Sequence, residues 1–446
     1  MRELLTGWGR TAPTAADVSR PTTAGQLVTA LAGAPARGAI ARGLGRSYGD
    51  AAQNAGGSVL STVALDGVEW ADEQAGLVRA SGGTSLAAVQ RFLVPRGWAL
   101  PVLPGTRHVT VGGAVAADVH GKNHPVDGSF GAHVAQLTLA LPDGVHRASP
   151  AEDPDLFWAT VGGLGLTGVV LDAVLRARPV ETAFVRVVTR RLADLDAVLA
   201  AMDDAAAGRH RYAVAWLDAM ARGRGVVAGG DAAAADDLAP ADRRAPLALH
   251  EGRHVAVPSW LPGVPMPPAA VAALNELRWR RAPSAATTTV EPLERFLFPL
   301  DAVDGWNRLY GRCGLVQYQF AVPTEAADLV GTALERLRGA GCAPFLAVLK
   351  RFGAAGRAPL SFPIPGWTLA LDFPAALPGL AVALDGLDEL VAAAGGRIYL
   401  AKDARLRPDL VEAMYPALDR WRAVKARVDP GGVLTSDLGR RLGLVG

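Results

Sequence analysis

Three glycine-rich runs in the N-terminal part of the chain limit what it can fold into: Arg42-Gly43-Leu44-Gly45-Arg46-Ser47-Tyr48-Gly49-Asp50, Pro104 to Gly131, and Phe157 to Val170. Residues without Cβ tolerate positive φ and let the backbone approach a ligand, so one loop can turn several N–H donors onto a phosphate. The apolar segment Gly38-Ala39-Ile40-Ala41 leads directly into the first run and reads as strand followed by loop. Its spacing is not the GxGxxG-then-helix pattern of a Rossmann domain. Alone, Gly43-Leu44-Gly45 fits a structural turn equally well. The second run sets hydroxyls and small residues (Thr106, Thr110, Gly112, Gly113, Ser129) where an extended cofactor would lie, and the third joins a short helix to an apolar strand through closely spaced glycines. Three such runs in succession point to a dinucleotide cradle rather than to turns.

At 446 residues the chain exceeds one ordinary hydrophobic core, which predicts two domains. Its 45 basic and 43 acidic residues are interspersed, so no field suited to a nucleic-acid backbone is expected. Cys313 and Cys342 have neither CxxC spacing nor a second cluster; no metal site or disulfide is expected, and both read as isolated buried thiols. No apolar signal-peptide core and no run of ~18 apolar residues is present. That predicts neither a signal peptide nor a membrane span, and is compatible with the cytoplasm, the plasma-membrane surface or the periplasm.

The expected fold class is α+β in two domains, the second built on an antiparallel sheet. Glycine thins out after Pro179, which divides the chain into residues 1–179, a second domain over 180–395, and a C-terminal segment, 396–446, returning to the first. Strands are expected at Ser58 to Thr62, Leu77 to Ala80, Phe184 to Thr189, Tyr212 to Leu217, Leu315 to Val322, Phe345 to Phe352 and Trp367 to Phe373. The Ala/Asp/Gly-rich stretch from Arg222 to Glu251 has no apolar period and reads as a mobile loop or lid. Pro408 to Val428 reads as helical, with Met414, Leu418 and Trp421 on one stripe.

On the strand from Leu315 to Val322, Gln317 and Gln319 share one face, which suits a polar ligand, although an exposed sheet face would also carry two glutamines. From the residues alone, Lys402 reads most simply as a solvated lysine and His120 as a structural histidine.

The three runs resemble the FAD domain of vanillyl-alcohol-oxidase-type flavoproteins, the PCMH-type FAD-binding superfamily, and among them the decaprenylphosphoryl-β-D-ribose 2'-oxidase family of actinobacteria. Further strings extend that resemblance over most of the chain: His120 to His124, Gln317-Tyr318-Gln319-Phe320, Leu360 to Trp367, Ala401-Lys402-Asp403 and Asp437 to Leu442. The resemblance implies oxidation of the ribose 2'-hydroxyl of a polyprenyl-phosphate sugar to a ketone, with FAD as hydride acceptor. A partner reductase of the short-chain-dehydrogenase type would then return the arabinose epimer for cell-wall arabinan. Flavin contacts carried over by motif are Arg42, Gly43, Leu44, Gly45, Arg46, Ser47, Tyr48, Gly49, Asp50, Gly105, Thr110, Val111, Gly112, Gly113, Ala117, Asp118, Val119, His120, Val170 and Tyr399. Alcohol oxidation requires loss of the hydroxyl proton and favours nearby positive charge, so Lys402 and His120 become the expected catalytic pair. Gln317, Gln319, Lys350, Trp216, Tyr48 and Ala370 become substrate contacts, and a lipid tail implies peripheral membrane contact.

The chain also departs from that family. Arg46 stands where many relatives in the superfamily carry the histidine that bonds covalently to FAD, so FAD is expected to be non-covalent. Ala370 replaces a cysteine that nitroaromatic inhibitors trap in mycobacterial members, Thr368 an asparagine and Leu297 a tyrosine. Two alternatives remain at this point: an alditol or sugar-lactone oxidase using O2, and a non-catalytic flavin-binding subunit of an epimerase complex.

Overall fold

The computed structural model describes residues 1–445 apart from 222, 251, 253, 261, 262 and 264–266, and most of its strands fall into three sheets. The first holds β1 (Arg2–Leu5), β2 (Thr14–Ser19), β3 (Ala39–Arg42) and β4 (Ser58–Ser61) in the order β1-β2-β4-β3, with β3 parallel to β4. The second is antiparallel and holds β5 (Val68–Asp72), β6 (Leu77–Ser81), β8 (Val134–Leu141), β9 (Gly144–Ala148) and β10 (Val169–Arg176), with a small ribbon of β7 (Trp98–Ala99) and β11 (Arg178–Pro179). Its strands alternate as half-buried strands should: Val78 and Ala80 of β6 are buried while Leu77, Arg79 and Ser81 are not.

The third sheet is antiparallel and eight-stranded. It comprises β12 (Phe184–Leu192), β13 (Tyr212–Leu217), β14 (Gly225–Ala232), β16 (Thr287–Pro292), β18 (Leu315–Pro323), β19 (Leu346–Phe352), β20 (Gly366–Pro374) and β21 (Arg397–Ile398), in the order β16-β12-β14-β13-β19-β20-β18-β21, and outside it β15 (Val255–Ala256) pairs in parallel with β17 (Val303–Asp304). The change of sheet falls between Arg176 and Phe184. Arg397–Ile398 still pairs with β18 before the chain returns to the first sheet, where Ala39 bridges Leu434. The α+β class, and the antiparallel sheet expected after Pro179, which is this third sheet, are as the sequence predicts.

Helices pack around these sheets. In the N-terminal part they are α1 (Ala24–Ala32), α2 (Leu86–Leu93), α3 (Val111–Ala116), α4 (His124–Asp127) and α5 (Pro154–Thr160). α6 (Leu195–Asp204), α7 (Pro268–Arg281), α8 (Leu293–Leu297), α9 (Asp328–Gly339) and α10 (Leu380–Ala393) accompany the large sheet. α11 (Val411–Met414), α12 (Leu418–Val428) and α13 (Asp437–Arg441) close the chain. Their starts are encoded locally: Thr23, Ser85 and Asp194 accept from the N–H three residues on, at 3.2, 3.1 and 2.9 Å. The predicted tail stripe is buried, but Tyr415 to Ala417, with Pro416, break that stretch into two helices.

Two sequence expectations are corrected. The stretch expected to be a loop contains β14, an interior strand between β12 and β13. Its glycines disguise it, and tight packing requires them: a Cβ on Gly229 would lie 2.3 Å from the His210 ring, and one on Gly230 2.9 Å from Val185. The ends of that stretch, Arg222 and Glu251, lie outside the described residues. Cys313 is exposed; of the two thiols, Cys342 is the buried one.

The first sheet positions the site, because successive residues of its strands feed different hydrophobic cores. Ile40 and Val59 belong to the core that reaches the large sheet, Ala39 and Leu60 to the core of the second sheet. The first glycine loop leaves the end of β3 between those two cores.

Candidate active site

The first loop is held close to its surroundings by contacts only glycine permits. A Cβ on Gly43 would sit 2.2 Å from Thr110 Oγ1, and one on Gly49 1.9 Å from the Asp403 carbonyl. Arg42 anchors the loop by donating to the carbonyls of Thr6 at 2.7 Å and Ala52 at 3.1 Å, and the Arg46 guanidinium lies 4.3 Å above the Trp8 ring. Among the described residues, the amides of Leu44, Gly45, Arg46 and Ser47 donate to no protein acceptor, which leaves a nest of N–H groups for an anion. Opposite, Thr110 caps α3 by accepting from Gly113 N–H at 3.2 Å, while a Cβ on Gly105 would meet nothing within 4 Å.

These loops floor a cavity of about 340 Å³ whose wall includes Arg42 to Gly49, Gly105, Thr110, Gly112, Gly113, Ala117, Val119, His120, Val170 and Tyr399. Four expected site residues stand behind that wall. Asp50 is clamped by Arg441 at 2.8 and 3.0 Å, and Val111 is fully buried, with its N–H given to Thr84. Asp118 accepts from Ser129 Oγ, Gly131 N–H and Ser361 Oγ, so it ties the second run to the far domain rather than touching the cavity. Trp216 is the fourth.

The large sheet supplies the opposite wall, by register. Gln319 faces Ala370, Ala370 faces Val348, and Val348 faces Trp216, so these four side chains form one row on one face. Gln317 and Asp372 belong to the next row, Thr368 and Lys350 to the one on the other side. Gln317, Gln319, Ala370, Val348 and Lys350 line the cavity; Trp216, one strand further out, does not, and its indole is covered by Arg278 at 4.6 Å.

Hydrogen bonds set the protonation of this face. Thr368 donates its only proton to the Phe320 carbonyl at 2.9 Å, so it must accept from the Gln319 amide nitrogen at 3.2 Å. The same nitrogen lies 3.1 Å from His120 Nε2, which therefore accepts, leaving the ring proton on Nδ1. Among the described residues Nδ1 has no partner. Burial, reinforced by the charges of Lys350, His124 and Lys402, holds His120 well below its ordinary pKa, and the ring is neutral.

Lys402 lies 3.8 Å from the Tyr48 ring centroid. Burial brings its pKa down to about 7, with Asp372 opposing and Lys350 assisting; burial alone brings Lys350 to about 8. Asp372 is pushed up to about 6 by burial, against the Gln317 hydrogen bond and the charge of Lys402. Gln317 donates to Asp372 and to Tyr48 OH at 3.3 Å, which links these groups. A buried amine, a buried acid and a neutral imidazole that titrate in or below the neutral range are suited to moving a proton.

Sequence reasoning overlooked Asp372, although strand parity puts it two residues beyond Ala370 on the same face. It also missed Trp8, His108, Asp301, Asp304 and Trp306 at the cavity, which carry no local pattern. No group of three or more metal-ligating side chains occurs among the described residues.

Residues 15–149 match the family model described as "FAD binding domain". The decaprenylphosphoryl-beta-D-ribose oxidase of Mycolicibacterium smegmatis is 42% identical over 99% of this chain and 97% of its own length. An uncharacterised Streptomyces coelicolor protein is 43% identical over 81% of this chain and its whole length, and a Streptomyces alditol oxidase 34% identical over 40% of this chain. The unpartnered amide nest and the glycine-walled cavity accommodate an FAD pyrophosphate and ring system. With near end-to-end identity to the first of these relatives, the chain belongs to the decaprenylphosphoryl-β-D-ribose oxidase family of FAD-dependent oxidoreductases.

Proposed function

We propose that this chain oxidises the ribose 2'-hydroxyl of a polyprenylphosphoryl ribose to the ketone, as the first half of an epimerisation. A short-chain-dehydrogenase-type reductase would complete it and so supply the arabinose donor for cell-wall arabinan. The observation that carries this reading is the convergence of Lys402, His120, Gln317, Gln319 and Lys350 on the cavity wall facing the glycine cradle. When bound, FAD supplies the hydride acceptor. Lys402, neutral above about pH 7, takes the hydroxyl proton, and Asp372 beside it favours the resulting ammonium. His120 Nδ1–H donates to the sugar, Gln317 and Gln319 orient its hydroxyls, and Lys350 offers positive charge towards the phosphate. Among the described residues no helix is long and apolar enough to cross a membrane, so lipid-linked substrate would be met by peripheral contact.

Anaerobic mixing of the holoprotein with polyprenylphosphoryl ribose tests the reading: the visible flavin bands should bleach. Bleaching by free alditols instead would make it an alditol oxidase, and no bleaching by either would leave a flavin-binding subunit.

A further inference from the structure

The row of side chains Gln319, Ala370, Val348 and Trp216 leads out of the cavity to α7. Arg278 of α7 stacks on the Trp216 indole at 4.6 Å, and among the described residues its guanidinium makes no hydrogen bond or ion pair. Arg278 is itself exposed, and among the described residues no acidic side chain pairs with it. Neighbouring arginines are committed: Arg224 to Asp218 and Glu276, Arg280 to Glu276, and Arg191 to carbonyls near the end of α7. Basic residues in a last helical turn complement the helix dipole, but that does not account for the stack on Trp216.

Next to Arg278 the helix exposes apolar surface. Leu274 is 52% and Leu277 45% exposed, and with Ala270 and Arg281 they follow the i, i+4, i+7, i+11 spacing of one stripe, while Val271 and Asn275 face inward. Trp260 and Val255, 78% and 65% exposed, belong to the chain segment just before α7, and Val255 pairs with the cavity-lining Val303. Four of the eleven large exposed apolar side chains among the described residues thus fall within residues 255–277.

We propose that Arg278, on Trp216, shares with Lys350 the phosphate of a polyprenyl-phosphate sugar and that Leu274 and Leu277 take its first isoprene units as they leave the cavity. This rests on the reading of the substrate as lipid-linked and assigns its non-sugar half to α7. The guanidinium's planar fork suits the two non-bridging oxygens of a phosphodiester in charge and spacing, and the exposed stripe suits an apolar chain too long for a cavity of about 340 Å³.

Binding of farnesyl phosphate to the FAD-loaded protein, measured by calorimetry, tests this. Arg278→Gln should weaken it roughly tenfold or more, the loss of a charge-assisted hydrogen bond. Leu274→Ser/Leu277→Ser should weaken it as well, while inorganic phosphate at equal concentration should fail to compete. KM for polyprenylphosphoryl ribose should rise in both variants with kcat unchanged, and both should keep wild-type flavin absorbance and melting temperature. Wild-type affinity in both variants, or inorganic phosphate competing as well as farnesyl phosphate, overturns the assignment. If farnesyl phosphate binding responds as expected but no polyprenylphosphoryl ribose bleaches the flavin, the site stands and the proposed reaction fails. Bleaching with unaffected binding means the reverse.

Discussion

Lys402 and Asp372 show how burial turns ordinary side chains into a proton-handling pair. Asp372 raises the pKa of Lys402 electrostatically, so the rate should climb as pH passes about 7 and the amine becomes neutral. In Asp372→Asn that support is gone, and the rising limb of the kcat/KM profile should move to lower pH. A limb that stays in place or moves upward would rule Asp372 out of the couple. Arg46 carries a second prediction. Its guanidinium, stacked on Trp8, cannot form the covalent link that a histidine there would, so acid precipitation should leave all yellow colour in the supernatant. Colour in the pellet would refute it. Residue types at these positions can be read directly from the sequence, but His120's proton on Nδ1 cannot: it follows from a chain of contacts through Gln319, Thr368 and Phe320.

Elements hold the first loop in place from both ends of the chain. Arg441 of α13 pairs with Asp50 at 2.8 Å and with Asp403 at 2.9 Å, which ties the C-terminal segment to the flavin loop and to the turn carrying Lys402. Arg441→Ala leaves two carboxylates without their cation and should cost about 2–4 kcal/mol, somewhat less than a fully buried pair because the arginine is partly exposed. The checks are a lower melting temperature and weaker FAD retention; unchanged values for both would mean that α13 does not brace the loop. Strands β12, β13, β18, β19 and β20 were readable from their apolar and β-branched content. β14 was not, because a strand that must pass under His210, Val185 and Phe296 needs glycines, and glycine is the residue that sequence patterns assign to loops.

At the scale of the molecule, the cavity lies where two hydrophobic cores share the first sheet, with the glycine loops on one side and the large sheet on the other. The sequence by itself determined the fold class, the dinucleotide cradle and the identity of the reactive residue types, because glycine runs, apolar patterns and strand parity are local signals. Tertiary structure decided which residues share the cavity. It withdrew Asp50, Val111, Asp118 and Trp216 from the wall and added Asp301, Asp304 and Trp306 to it. The physical reason is that sheet register and inter-domain contacts join residues hundreds of positions apart, and these contacts, not the neighbours in sequence, set the desolvation that brings Lys402 and Asp372 towards neutrality.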